Sequence, residues 1–365
     1  METKVDHPIY KHCDEKEADA FAFAFTSAQN FEKFPYKHPT LEDHEVRASV
    51  LYSGLCLSDS HHGRSKWGGA LYPLAPGHEI ICVVESFGSK VTDFKKGDKV
   101  AFGTLRDACE SCKYCQMNKE PLCSDLTRDR FTYGLHWGGY STHLQQPAKF
   151  FFKLPENLDL QKAAPLLCAG ITVYNPIKQY LKPGFKTAVI GIGGLGHLAV
   201  QFLAKMGHEV TAVTTSMDKE KFIKSLGATT VITLNDEKSC QDHRGKYDLI
   251  INTVPASDNF QKYLSLTAPC GYFVQTGAPD VSETISLNPV GLVLNEYHIV
   301  GSLVGSRADT NEMLEFCAKN NVYPMVEEFA FEDFPKALDK LENGKPIFRC
   351  VVNCGEFSKK IGLQK

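Results

Sequence analysis

Long apolar runs are missing from this chain: no uninterrupted stretch approaches the ~18 residues a membrane helix needs. A basic excess is missing as well. Lys plus Arg number 40 against 43 Asp plus Glu, a formal net charge of −3, which leaves no clustered footprint for nucleic acid. Met1 to Tyr10 lacks the basic-then-apolar pattern of an export leader. There is no internal repeat, no low-complexity segment and no Ser/Gly linker. Any domains are therefore expected to pack closely. Together these absences predict a soluble, cytoplasmic protein with neither membrane nor nucleic acid as a partner.

What is present suits two domains of ordinary size in 365 residues, 43% hydrophobic and 23% charged. The 13 cysteines are an odd number in a chain that needs no disulfide staples. Four of them, Cys109, Cys112, Cys115 and Cys123, crowd into 15 residues, which in a reducing compartment points to a metal. Most of the others are expected as small buried hydrophobes.

The first part of the chain, to about residue 165, is rich in strand patterns. Phe21, Phe23 and Phe25 alternate with alanine as in a half-buried strand, and Glu45 to Tyr52 and Ile80 to Phe87 continue the pattern. Beyond that the rhythm becomes strand then helix. Thr187–Ile190, Val210–Thr214, Tyr247–Val254, Tyr272–Thr276 and Ile299–Val304 read as strands. Leu198–Met206 and Asp218–Leu226 read as helices between them. Such alternation predicts a parallel sheet with right-handed crossovers. Helices are expected over Asn311–Asn320 and Phe334–Asn343.

Gly191, Gly193, Gly194 and Gly196, with Ile192 and Leu195 between them, fit the G-x-G-x-x-G pattern after a strand and before a helix. Glycine there permits a tight turn and close approach of a pyrophosphate to a helix N-terminus. The acidic residue that grips ribose hydroxyls about 20 positions on is absent. Thr214, Thr215, Ser216 and Lys219 occupy that place, with Asp218 beside them. Hydroxyls and a lysine suit a 2′-phosphate, so NADP is favoured over NAD.

The spacing Cys109-x2-Cys112-x2-Cys115-x7-Cys123 suits four thiolates closing a tetrahedral zinc site, with no open position for substrate. An iron–sulfur cluster fits these spacings less well. Gly77-His78-Glu79 and the segment Cys56-Leu57-Ser58-Asp59-Ser60-His61 carry further ligand chemistry, but spacing alone does not join them.

These blocks, with Pro165 to Gly170, His197 and Gly301 to Ser306, run in order along nearly the whole chain. In them the chain resembles the zinc-containing medium-chain alcohol dehydrogenases, in their cinnamyl-alcohol-dehydrogenase-type branch. The resemblance implies an α/β fold: a GroES-like, strand-rich catalytic domain over 1–168, completed by 307–365, with a Rossmann domain inserted over 169–306. The active site is expected in the cleft between them. It places Cys56, His78 and Cys168 around a catalytic zinc with a fourth position open, and Glu79 beside the metal as a carboxylate able to exchange with water. Asp59 would orient the ligand histidine, Ser58 exchange the alcohol proton, and His61 relay it outward. Thr172, Thr253, Gly277 and Ser302 are expected along the cofactor. The implied activity is reversible hydride transfer between NADP(H) and a primary alcohol or its aldehyde, in a homodimer with two zinc ions per chain. A reductase of activated C=C or C=N bonds and a catalytically silent relative are the alternatives.

Two features depart from the family pattern. Leu57 stands where relatives often carry His or Arg, which predicts the loss of one cofactor phosphate contact. Leu135-His136-Trp137 looks like an insertion between Tyr133-Gly134 and Gly138-Gly139-Tyr140, expected to edge the substrate cleft. Trp137 is expected there either as a lid contact or as a surface-packing side chain.

Overall fold

A computed structural model of the chain describes residues 7–132, 134–255, 259–279, 281–344 and 346–363. Tyr133, quoted beside the insertion, lies outside them. The chain forms two compact units. One comprises the chain up to Cys168, Ser306–Ala318 and the residues from Tyr323 onward; the other comprises Ala169–Gly305 and Lys319–Val322.

In the first unit, Glu45–Leu55 is the axis of a seven-stranded sheet. Val46, Ala48, Val50 and Leu55 suit a strand buried on both faces. It pairs antiparallel with Ile80–Phe87, His143–Pro147 and Arg349–Asn353. Ser53 lies opposite Ile80, and Leu55 opposite Cys350. These registers gather chemistry at one place. One residue beyond each pairing, the chain carries Cys56, Glu79 and Arg349 to the same end of the sheet.

A three-stranded sheet contains Ala20–Phe25. Alternation there suggests a half-buried strand, but all six residues are buried. Phe21, Phe23 and Phe25 enter the main core with Phe331, Phe334 and Phe357. Ala20, Ala22 and Ala24 lie under a second cluster of Tyr10, Phe34, Tyr36 and Trp137. Alanine is small enough to let those rings close over the strand, so both faces leave water.

That second cluster also corrects the reading of Trp137. It is neither a lid nor a surface residue, being only 2% exposed. Its ring stacks on Tyr10 at 4.2 Å, and its indole N–H donates to the carbonyl of Pro73 at 3.1 Å. A buried indole needs such an acceptor, and the insertion supplies the core with an anchor.

In the second unit, six parallel strands run in the order Thr230–Thr233, Val210–Thr214, Thr187–Ile190, Tyr247–Asn252, Thr267–Gln275, His298–Gly301. In chain order this is 3-2-1-4-5-6, the doubly wound nucleotide-binding arrangement, with its switch point between Thr187–Ile190 and Tyr247–Asn252. The expected strands and helices are present with shifted ends. Tyr272–Thr276 is the end of a longer strand beginning at Thr267, and Asp218–Leu226 is a 3₁₀ turn, Met217–Lys219, followed by the helix Glu220–Ser225. The helix expected from Asn311 begins at Arg307 instead. Ser306 and Asp309 exchange side-chain to backbone hydrogen bonds at 3.0 and 3.1 Å, a reciprocal cap that starts the helix early.

Candidate active site and cofactor cradle

The strand Glu45–Leu55 delivers Cys56, which then caps the helix Leu57–Gly63. The neighbouring strand begins just after His78 and Glu79, and the backbone N–H of Gly54 donates to the carbonyl of Glu79 at 2.8 Å. Gly54 is required at this point. A Cβ there would lie 2.2 Å from Glu79 Oε2, so any side chain would displace the carboxylate. Cys168 arrives from the buried turn Ala164–Leu167. As a result one ligand atom each from Cys56, His78, Glu79 and Cys168 lies within 4.8 Å of the others.

Asp59 organises this group from behind. Its Oδ1 faces His78 Nδ1 at 2.7 Å and accepts the N–H of Gly77 at 2.9 Å. Its Oδ2 accepts the N–H of Cys56 at 3.1 Å and the hydroxyl of Tyr140 at 3.3 Å. With Nδ1 engaged by Asp59, Nε2 is the atom through which His78 would bind a metal. Burial opposes protonation of His78, but Asp59 outweighs it and holds the imidazole pKa well above its ordinary value. Hydrogen bonding with Cys168 draws the Cys56 thiol well below its ordinary value.

Arg349, absent from the sequence reading, completes the site. It is buried and ion-paired to Glu79 Oε1. Burial pushes the Glu79 carboxyl up to about 7, against the pull of Arg349. Glu79 Oε2 is buried with no hydrogen-bond partner among the described residues. Two thiols, an imidazole and a carboxylate oxygen lacking a partner are a donor set for a divalent cation, and zinc fits it. No local motif announces Arg349; it reaches Glu79 only because strand pairing sets it beside Cys56.

Ser58 sits half-buried on the first turn of the same helix, its hydroxyl 3.6 Å from Cys56 Sγ. His61 lies three residues on, the spacing that puts two side chains on one helix face, and its ring packs against Trp67 at 5.3 Å. Leu57 beside them is 46% exposed.

The second thiol group is Cys109, Cys112, Cys115 and Cys123, whose sulfur atoms also lie within 4.8 Å of one another. The Cys112–Cys115 and Cys109–Cys115 separations are 3.6 and 3.9 Å. Four sulfurs about 2.3 Å from a zinc ion at tetrahedral angles lie about 3.8 Å apart, the spacing these two separations match. Backbone N–H groups of Cys109 and Cys112 donate to Cys123 Sγ and Cys109 Sγ at 3.3 Å each. Backbone N–H groups of Ser124 and Cys115 hold the Cys112 thiol down at about 5. Arg307 pairs with Glu110 and Glu120 on this lobe, at 2.9 and 3.2 Å.

In the second unit the glycine turn behaves as its pattern predicts. Gly191 has φ of +83°, and a Cβ on Gly196 would meet the Gly191 carbonyl oxygen at 1.8 Å. A Cβ on Gly193 would meet nothing within 4 Å, leaving that edge open to a pyrophosphate. Gly194 and Leu195 complete the turn into the helix Gly196–Lys205. Beside it is a cavity of about 640 Å³, lined by Gly191, Thr214, Thr215, Ser216 and Lys219 of the predicted residues. Its wall also includes Asn235, Lys262 and Tyr263, which sequence reading missed because they come from later connections without a motif. The Thr253 hydroxyl donates to the carbonyl of Gly191 at 2.7 Å and so braces the turn. Gly277 packs against the Val254 backbone, Ser302 hydrogen-bonds through its N–H to Gln275, and Thr172 is buried in the helix Ala169–Tyr180. None of these four lines the cavity.

The chain is similar to known proteins in sequence and fold. Residues 42–156 match the family model described as alcohol dehydrogenase GroES-like domain, and residues 194–319 match zinc-binding dehydrogenase. Cinnamyl alcohol dehydrogenase 8 of Arabidopsis thaliana is 37% identical over 347 residues, covering 92% of each chain. Aldehyde reductase AdhA of Synechocystis sp. is 38% identical over 321 residues, 88% of this chain and 94% of the relative. Among solved structures, CAD from Helicobacter pylori complexed with NADP(H) superposes with a TM-score of 0.84 at 31% identity, over 92% of this chain and 98% of that one. On sequence, fold and ligand geometry together, the chain belongs to the zinc-binding medium-chain alcohol dehydrogenases, in the cinnamyl-alcohol-dehydrogenase-type branch.

Proposed function

We propose that the chain is a zinc-dependent, NADP(H)-linked alcohol dehydrogenase that works in cells mainly as an aldehyde reductase. The observation that carries this reading is the Cys56, His78, Glu79 and Cys168 cluster with Ser58 on the adjoining helix turn. When bound, zinc there supplies Lewis-acid polarisation of a carbonyl, and NADPH supplies the hydride. Two thiolates and an imidazole would hold the ion. Glu79, tied through its other oxygen to Arg349, stands ready as an exchangeable fourth ligand. Asp59 fixes the His78 ring, so the ligand set is oriented before substrate arrives. Ser58 exchanges the proton of the substrate oxygen, and His61 passes it outward. The Cys109–Cys123 lobe would hold a second ion with four thiolates and no open position, a structural role. Functionally we divide the chain into a catalytic part, 1–168 with 307–365, and an NADP-binding part, 169–306, a division supported by its two compact units.

Cofactor choice rests on the strand end. Thr214, Thr215, Ser216 and Lys219 offer hydroxyls and a cation where an NAD-binding site has a carboxylate, and they border an open cavity. We assign the protein to the cytoplasm, since a chain of this size needs no disulfide staples and its cysteines include two groups gathered as candidate metal ligands, which a reducing compartment keeps as thiolates.

We also propose a homodimer built on the second unit. The helix Pro289–Asn295 is 62% exposed at Val290, 75% at Val293 and 78% at Leu294. Apolar residues at that spacing form one unpartnered stripe. Among the described residues the next strand, His298–Gly301, is the outer edge of the sheet, a side on which a two-fold partner's strand would pair.

The test is turnover with NADPH and with NADH across aliphatic, aromatic and cinnamyl aldehydes, with enals scored separately for C=C reduction. Zinc-dependent carbonyl reduction preferring NADPH is expected. Exclusive C=C reduction, or no turnover by fully metallated protein, would overturn the assignment.

A further inference from the structure

We propose that Lys262 is a specificity-determining residue, a second cation that grips the 2′-phosphate of NADP opposite Lys219. The inference rests on the NADP reading above and extends it to a residue outside the strand-end loop.

Among the described residues lining the cavity beside the glycine turn, Lys219 and Lys262 are the two cations and Asp218 is the single acid. The wall therefore keeps a positive excess even if Asp218 neutralises one lysine. Lys262 lies on the helix Phe260–Leu264, more than forty positions from Lys219 in sequence. Its ammonium is half-buried and donates to the carbonyl of Leu234, another wall residue. Next to Leu234, the Asn235 amide donates to the carbonyl of Thr215 at 3.1 Å. One chain of contacts thus runs from Lys262 to the loop that presents Thr215 and Ser216.

An ammonium has three donors. Among the described residues Leu234 takes one, which leaves two for phosphate oxygens. That carbonyl also holds the flexible lysine stem at the cavity wall before any ligand arrives, so little further ordering is needed on binding. A cofactor without the 2′-phosphate presents no charge at this place and gains nothing from the lysine. Lys262 is therefore expected to act on the difference between NADP and NAD, not on adenine nucleotides generally.

The holoenzyme and its Lys262→Met variant would be titrated calorimetrically with adenosine 2′,5′-bisphosphate and with ADP. Loss of one charge-assisted contact predicts roughly ten-fold weaker binding of the bisphosphate, with ADP unchanged. Lys262→Arg should restore most of the difference. Bisphosphate binding that survives Lys262→Met, or equal weakening of both ligands, overturns the inference and reduces Lys262 to a brace for Leu234. Wild-type protein that does not distinguish the two ligands overturns the NADP reading itself. If Lys262→Met does not fold, Lys262→Gln keeps a donor for the Leu234 carbonyl without the charge and answers the same question.

Discussion

Ser58 and Arg349 show how single side chains decide this site. Ser58 is one hydroxyl away from being a plain helix residue, and the role proposed for it is proton transfer. Ser58→Ala is expected to lower kcat by about 10²–10⁴-fold while zinc content and NADPH affinity stay as in wild type. Steady-state kinetics beside metal analysis checks this, and an alanine variant with full activity would remove Ser58 from the relay. Arg349 is the charge that lets Glu79 lie buried at the ligand cluster. Removing one partner of a buried ion pair leaves the other uncompensated, at a cost of roughly 3–5 kcal/mol. Arg349→Leu should lose stability of that order in urea unfolding of the zinc-loaded protein. Arg349→Leu with Glu79→Gln should regain most of it, because the neutral amide no longer needs the guanidinium.

Elements carry the next two expectations. The Cys109–Cys123 lobe has short turns in place of long helices or strands, so the ion proposed for it is expected to cross-link and order it. Cys112→Ser should reduce zinc from two ions per chain to one and lower the melting temperature, whereas Cys56→Ser should lose turnover but keep NADPH binding. The N-terminal segment has a different dependence. His7 Nδ1 accepts the N–H groups of Ile9 and Tyr10 at 3.1 Å each, and its ring packs on Trp137 at 5.3 Å. Burial, with the neighbouring charges of His136 and Lys11, lowers its pKa from 6.5 to about 4. The fold therefore prefers the neutral ring. Its contribution is full above the unfolded value near 6.5 and is lost as the pH falls toward about 4. Trp137 fluorescence, recorded in a Trp67→Phe background, should change over that window, and His7→Phe should abolish the change.

At the scale of the whole molecule the expectation concerns assembly. Helix Pro289–Asn295 presents an apolar stripe, and two residues separate it from His298–Gly301, the edge strand of the sheet among the described residues. Val293→Asp combined with Leu294→Asp should yield monomers in sedimentation velocity, with the nucleotide cavity on the other side of the sheet order still able to bind NADPH. A variant that sediments like wild type would move the interface elsewhere.

Short-range chemistry was legible in the amino-acid sequence. The thiol spacing of Cys109 to Cys123, the glycine turn at 191–196 and the strand-helix rhythm each depend on neighbours in the chain, so pattern alone reveals them. The resemblance then joined Cys56, His78 and Cys168, which no spacing rule connects. Tertiary structure alone decided the rest. Arg349 meets Glu79, and Lys262 lines the same cavity as the Thr215 loop, because strand pairing and helix packing bring distant segments together. Trp137 looked like a cleft or surface residue because an insertion usually loops outward. It is core because Tyr10, Phe34 and Tyr36, from segments a hundred residues earlier, close over it above the small alanines of Ala20–Phe25. Sequence by itself determined the four-thiol spacing, the glycine turn and the strand-helix rhythm, since these rest on local residue type and period. Which charge compensates a buried ligand, and which face of a strand is dry, depend on partners that only folding selects.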